Sequence, residues 1–174
     1  MESIKIIGFS VFAAVSYGIL HDMVTAHLCV EYFTIAHPPI FATQSPFLLA
    51  LGWGIIATWW VGLPLGILLA ACGRLGPKNK LSFIQLLRPI LILMSVSAVA
   101  ALVAGLSGAA LVLTAMGNIP EPWGEIIPSN KHITFNAAYW AHSTSYLFGF
   151  AGGLTVLAFT FYRRFNPPIT APKA

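Results

Sequence analysis

The sequence predicts an all-α integral membrane protein: one transmembrane domain, 1–174, in which four helices cross a bilayer and pack as a bundle with the N- and C-termini cytoplasmic. Three observations predict it: scarcity of charge, four long apolar runs, and basic residues gathered at one set of run ends. Hydrophobic residues make up 57% of the 174 and charged residues only 8%, with a mean hydropathy of +0.82. A soluble domain carries roughly 25% charged residues, so this chain has too little polar surface to stay dissolved in water. The isoelectric point near 9.3 does not signal nucleic acid, because the nine Lys and Arg sit at the ends of apolar runs and not on one patch.

A helix needs about 20 apolar residues to cross the hydrocarbon core. The first such run covers approximately 6–26. A weak Ala14-Val15-Ser16 site lies inside it, but the apolar stretch continues past that site into Leu20, so it reads as a span and not as a cleaved leader. Pro38-Pro39 must end any helix continuing beyond it. The second run, approximately 46–72, closes at Gly73-Arg74, and Pro64 within it is expected to kink the helix by removing a backbone donor. The third, approximately 86–116, is entered through Ser82–Arg88, where Ser82 followed by Gln85 resembles a capping box. The fourth, approximately 135–162, stops at Arg163-Arg164.

The charge count orients these spans. Lys5, Arg74, Lys78, Lys80, Arg88, Arg163, Arg164 and Lys173 fall on one side and only Lys131 on the other, which places both termini in the cytoplasm by the positive-inside rule. A multi-pass location in a cell membrane, as in a bacterial inner membrane, is the corresponding expectation, with the lipid bilayer as the surrounding partner. Small residues recur at four-residue spacing in Gly62-x-x-x-Gly66, in Gly149-x-x-x-Gly153 and through Ala100, Ala104 and Gly108. Such faces allow close helix contact in lipid, within the bundle or in a homo-oligomer or membrane complex. The two halves show no sequence repeat, so nothing supports an inverted-repeat transporter. Cys29 and Cys72 fall on opposite faces and cannot pair.

All five histidines, His21, His27, His37, His132 and His142, fall toward the outer side. At 1.5 Å per residue, His21 stands roughly 24 Å above Lys5 and His142 roughly 31 Å above Arg163, so the two reach similar heights in the outer leaflet. On a helix continuing unbroken toward His37, Tyr17, His21, Val24, His27, Leu28 and Glu31 share one arc of roughly 120°, and His27 and Glu31 become an i, i+4 pair. Asp22 points to the other side of His21. Asn136, Tyr139, Ser143 and Tyr146 flank His142.

A carboxylate inside a bilayer costs on the order of 2.5–3.5 kcal/mol at mid-helix, so Asp22 and Glu31 are expected to face the bundle interior, a wet pocket or each other. Three readings follow for this outward-facing cluster. It can lock the bundle by hydrogen bonds, as in a structural or accessory subunit. It can hold a transition metal ion or haem through His21, Asp22, Glu31 and His142, with His27 a further possible ligand and Tyr17 and Tyr146 contacting the cofactor. Or it can handle protons or a small ligand, as in a small permease or proton-coupled carrier. Neither the Glu-x-x-His pairs of di-iron bundles nor His-Glu-x-x-His occurs, and no Gly-x-Ser-x-Gly elbow supports a hydrolase at Ser143 or Ser145. Trp53, Trp59 and Trp60 read as packing and interface anchors, Cys29 as a small apolar filler, and the loop Ile119–His132 as a short lid on the outer face.

The run His21-Asp22-Met23-Val24-Thr25-Ala26-His27-Leu28-Cys29-Val30-Glu31-Tyr32-Phe33-Thr34-Ile35-Ala36-His37-Pro38, with Leu51-Gly52-Trp53-Gly54 and Ala57-Thr58-Trp59-Trp60, resembles a family of small, functionally uncharacterised bacterial four-span membrane proteins. The resemblance covers the first two spans and, more loosely, His142 to Gly153. It implies that the His21-Asp22 pair, Glu31 and His37-Pro38 belong to the shared pattern, whereas the position of His27 is often basic. It implies no activity.

Overall fold

Four helices long and apolar enough to cross a membrane, Glu2–Leu28, Pro46–Arg74, Phe83–Leu113 and Ser129–Phe165, account for most of the chain. The computed structural model describes residues 1–77 and 79–166; Lys78 and Lys173, two cations of the charge count, lie outside the described residues. The elements in order are α1 (Glu2–Leu28), α2 (Val30–Thr34), α3 (Pro46–Ile56), α4 (Trp59–Arg74), α5 (Phe83–Leu113), α6 (Trp123–Ile126), a 3-10 turn at Ser129–Lys131, and α7 (His132–Phe165). Among the described residues there is no strand. In the most apolar window of each span only 11–22% of residues are buried, so Leu20, Val24, Leu102, Leu106, Leu147 and Phe150 clothe the outside of the bundle. Water would penalise that surface, and lipid does not.

α5 packs along α7 and α1 along α3 and α4, while α1–α5 and α4–α7 contacts close the ring. Spans one and four therefore face each other across the bundle centre. Glu2 Oε2 accepts the amide of Phe83 at 2.8 Å, and Arg164 donates to carbonyls of the α4–α5 connection, which brings the start of α1 and the end of α7 to one end of the bundle. Two buried clusters seal the bundle. One holds Ile6, Leu69, Leu81, Leu86 and Ile90 at that end; the other holds Tyr32, Phe33, Leu49, Ile119, Ile127 and Phe135 at the opposite end.

Several expectations change in detail. α1 does not run unbroken toward His37: Cys29 is extended (φ −151°, ψ 94°) and the chain turns into α2. The turn lets Tyr32 pack on Phe135 (5.6 Å between ring centroids) and on His142 (4.5 Å), burial that a straight helix would forgo. The second span breaks at Ala57-Thr58, six residues before Pro64, and Pro64 sits inside α4. The third span starts at Phe83 and ends at Leu113, where Ala115 adopts a left-handed conformation (φ 54°). Gln85 Oε1 accepts the Ser82 amide at 2.9 Å, as the capping pattern predicts.

The Gly62/Gly66 face acts within the chain, whereas a Cβ on Gly149 would meet nothing within 4 Å. Gly62 and Gly66 lie against Ser10, Ile7 and Ala14 of α1. On α5 the buried stripe is Ser97, Ala101, Gly105 and Gly108, one position offset from Ala100 and Ala104. The tightest crossing is one the spacing does not announce: a Cβ on Gly54 would stand 2.6 Å from the Ile19 backbone, and one on Gly18 would stand 2.7 Å from the Gly54 carbonyl. Backbone cannot yield as a flexible side chain can, so Gly54→Ala is expected to cost about 1–3 kcal/mol. Thermal unfolding in detergent checks this, with exposed Gly8, where a Cβ meets nothing within 4 Å, as the neutral Gly8→Ala control.

Candidate functional site

Helical phase aims His21 and Asp22 about 100° apart on α1, and α7 crosses in the space between them. Asp22 Oδ1 lies 3.0 Å from His142 Nε2, both side chains only 7% exposed. The His21 and His142 rings meet edge to face with centroids 4.5 Å apart. One ligand-capable atom from each of His21, Asp22 and His142 lies within 4.8 Å of the others. Neighbouring ligands of one tetrahedral ion, each about 2.1 Å from it, stand about 3.4 Å apart, so the widest separation in the triad would have to contract by about 1.4 Å around an ion.

The outer contacts orient both imidazoles. His142 Nδ1 lies 2.9 Å from the Ala138 carbonyl one turn earlier, which can only accept, so Nδ1 carries the proton. In the neutral ring, Nε2 then presents a lone pair to the Asp22 carboxylate. That arrangement is repulsive until a cation, proton or metal, sits between them. On the other ring, His21 Nδ1 lies 3.4 Å from Ser145 Oγ, which is 2.7 Å from the Tyr17 hydroxyl. His21 Nε2 is buried without a hydrogen-bond partner, a costly state for a polar atom.

Tyr17 thus reaches the site through Ser145, a residue the sequence marked only as an unsupported nucleophile. Tyr146 lines the same cavity beside His142. An aromatic cage, whose assembly no local pattern announces, closes the site at the bundle end away from the termini: Tyr32 and Phe33 pack on His142, and His37 stacks on Phe33 at 5.5 Å and meets Trp53 edge-on at 4.8 Å. Burial holds His37 below the ordinary histidine range, and its Nδ1–H donates to the Tyr32 carbonyl at 2.7 Å. The signal for this cage was the Tyr32-Phe33…His37 run itself, whose convergence needs the turn at Cys29.

Glu31 is not beside the triad. Its carboxylate pairs with Lys131 Nζ at 3.0 Å and takes a weak contact from the Cys29 thiol. Burial pulls Glu31 upward, but its own backbone amide, Lys131 and Cys29 outweigh that and hold its carboxyl below the usual range. This corrects Glu31 as a ligand alongside His21: the break at Cys29 swings it to the bundle end, where it tethers α2 to the start of α7. His27 is exposed, its Nδ1 bonded to the Met23 carbonyl at 2.7 Å, and it makes no i, i+4 pair with Glu31. His132 is tied to the Ile127 carbonyl at 2.9 Å.

The site opens sideways, which revises the expected outward opening. A cavity of about 520 Å³ runs from the triad down the bundle centre, and its lining residues Trp60, Leu68, Phe150 and Leu154, each about half exposed or more, place its doorway between α4 and α7. The lid-like loop seats Ile119 and Ile127 in the buried cluster at the same bundle end and Trp123 against Phe135. Two edge-to-face rings in contact leave no slot for a porphyrin between them, so the geometry favours an ion over haem. No family model, curated protein or solved structure matches this chain.

Proposed function

We propose that this is a multi-pass membrane protein that holds one divalent transition metal ion inside the bundle, with His21, Asp22 and His142 as its ligands. The observation that carries this is the convergence of three buried groups: His142 Nε2 lies 3.0 Å from the Asp22 carboxylate while its Nδ1 donates to Ala138, and His21 Nε2 is buried and unpartnered. A proton shared by His142 and Asp22 would still leave His21 orphaned; a metal ion satisfies all three. Two imidazoles with one carboxylate suit Fe(II) or Zn(II) and leave coordination positions open toward the cavity. The carbonyl on His142 Nδ1 and the hydroxyl on His21 Nδ1 are the outer partners that orient metal-binding imidazoles. Tyr17 and Tyr146 then act from the cavity wall, on whatever occupies those open positions.

The asymmetry of basic residues supports cytoplasmic termini, and the resemblance of the His21–Pro38 run supports a bacterial inner membrane. The triad in that orientation lies in the outer leaflet.

Elemental analysis of protein purified in detergent tests the metal reading. One equivalent is expected in the wild type, with loss in His21→Ala and His142→Ala and retention in Glu31→Gln and His27→Ala. Background metal in a folded wild type after reconstitution with Fe(II) or Zn(II) sinks the reading.

A further inference from the structure

The metal proposal leaves unexplained why the bundle is sealed at both ends and open in its middle. The cavity starts at the triad and continues past Leu65, Leu93 and Met94 to Leu69, Ile90 and Leu157. From His142 to Leu157 is fifteen residues, about 22 Å of helix, and from His21 to Ser10 eleven, about 16 Å. One leaflet of the hydrocarbon core is about 15 Å deep, so this lining matches the reach of a single membrane acyl chain. Its volume of about 520 Å³ falls within the roughly 300–1,000 Å³ of small-molecule sites. Polar groups concentrate at the triad end, in Tyr17, Thr58, Ser145 and Tyr146; below them Ser10 is tied to its own Ile6 carbonyl, and Ser97 is the remaining hydroxyl. The doorway between α4 and α7 is flanked by side chains on the lipid-facing surface, so an occupant enters from the bilayer.

Charge selects the head of that occupant. A divalent ion with two neutral imidazoles and Asp22 keeps one positive charge, and no other acidic residue lines the cavity. An uncompensated charge in a low-dielectric interior is costly and draws an anion. The cage of Tyr32, Phe33 and His37 closes the outer side, so the anion must be small. We propose that the cavity binds a long-chain fatty acid, its carboxylate on the open face of the metal and within reach of the Tyr17 and Ser145 hydroxyls, its chain lying along the bundle axis. This rests on the metal reading.

Gly149 provides the test. It lines the cavity two turns below His142, and a Cβ there meets nothing within 4 Å, so Gly149→Leu fills the chain path without crowding the helix. Gly8→Leu, on an exposed face that also has nothing within 4 Å, is the control. Binding of radiolabelled palmitate would be measured on purified protein in maltoside, with metal content determined on the same samples and hexadecanol and a diacyl phospholipid as competitors. Saturable binding is expected in the wild type and Gly8→Leu, at least tenfold weaker in Gly149→Leu at equal metal content, and resistant to both competitors. Wild-type protein that lacks metal overturns the metal reading and this one with it. Metal-loaded protein without saturable binding, equal affinity in Gly149→Leu, or equal competition by hexadecanol or phospholipid overturns the fatty-acid proposal alone.

Discussion

Replacing Asp22 with asparagine is expected to remove the metal while leaving the bundle folded. The amide has nearly the shape of the carboxylate, and its N–H can donate to the His142 Nε2 lone pair now 3.0 Å from Oδ1, so the apo contact improves. The ion, however, loses its only anionic ligand in a low-dielectric site. Loss of an outer partner alone typically costs 10–100-fold in metal affinity; loss of the ligand itself is expected to exceed about 100-fold. Asp22→Ala should behave differently, because it removes both the ligand and the hydrogen-bond partner. His142 Nε2 then joins His21 Nε2 as a buried orphan, and a buried polar atom left unsatisfied costs about 1–3 kcal/mol relative to the hydrogen-bonded Asn form. Titration of chelated protein with Zn(II), with thermal unfolding of the apo forms, separates the two effects. Full metal affinity in Asp22→Asn would count against the triad, and equal apo stability of the Asn and Ala variants would count against the proposed pairing.

Arg164→Ala is expected to destabilise the protein by roughly 3–5 kcal/mol, whereas its neighbour Arg163→Ala stays within about 1 kcal/mol. The two are equivalent as stop charges in the sequence and unlike in the structure. Arg164 is 4% exposed. Its Nε donates to the Asn79 carbonyl at 3.0 Å, one terminal nitrogen to Cys72 at 3.0 Å, and the other to Leu75. It therefore supplies donors to the end of α4, whose last carbonyls have no partners within their own helix, and ties that end to α7. Truncation strands these carbonyls, and hydrogen bonds to a charged donor are worth about 1.5–3 kcal/mol each without being additive. Arg163 instead lies 5.7 Å over the Phe159 ring, a contact of about 0.5–1 kcal/mol where exposed. Both substitutions remove one positive charge from the same end, so membrane orientation should respond equally to each. Unequal unfolding midpoints with equal orientation would distinguish the clasp from a charge effect.

The helices were legible because an apolar run of about 20 residues, the length a bilayer crossing requires, is a local property of the sequence. The apolar runs read at approximately 6–26, 46–72, 86–116 and 135–162 fall on the helices Glu2–Leu28, Pro46–Arg74, Phe83–Leu113 and Ser129–Phe165, with the largest difference, six residues, at the start of the fourth. Ser82 with Gln85 marked the start of α5 because a cap is a local interaction between residues three apart. His21, Asp22 and His142 were legible as candidates for a related reason: ionisable groups are expensive in apolar runs, and helical rise gives their heights.

What could not be read depends on bends that no local pattern specifies. Cys29 has nothing in its sequence neighbourhood that breaks a helix, yet the chain turns there because Tyr32 and Phe33 gain burial against α7. That turn removes Glu31 from the triad and brings His37 into the cage. The break at Ala57-Thr58 is likewise displaced from Pro64, the residue that draws the eye. The small-residue faces could be seen but not assigned, since whether Gly62 meets α1 or another subunit is a matter of partners.

The sequence by itself determined that four apolar helices exist, where each lies, and that charge is segregated along them, because chain length, hydropathy and capping act within a segment. Only the tertiary structure decided that His21 and Asp22 straddle His142, that Arg164 is buried beside an equivalent-looking Arg163, and that the bundle stays open beneath the triad. Those outcomes depend on how helices cross, and a crossing is set by the close approach of backbones such as Gly18 and Gly54, far apart in the chain and unmarked until they touch.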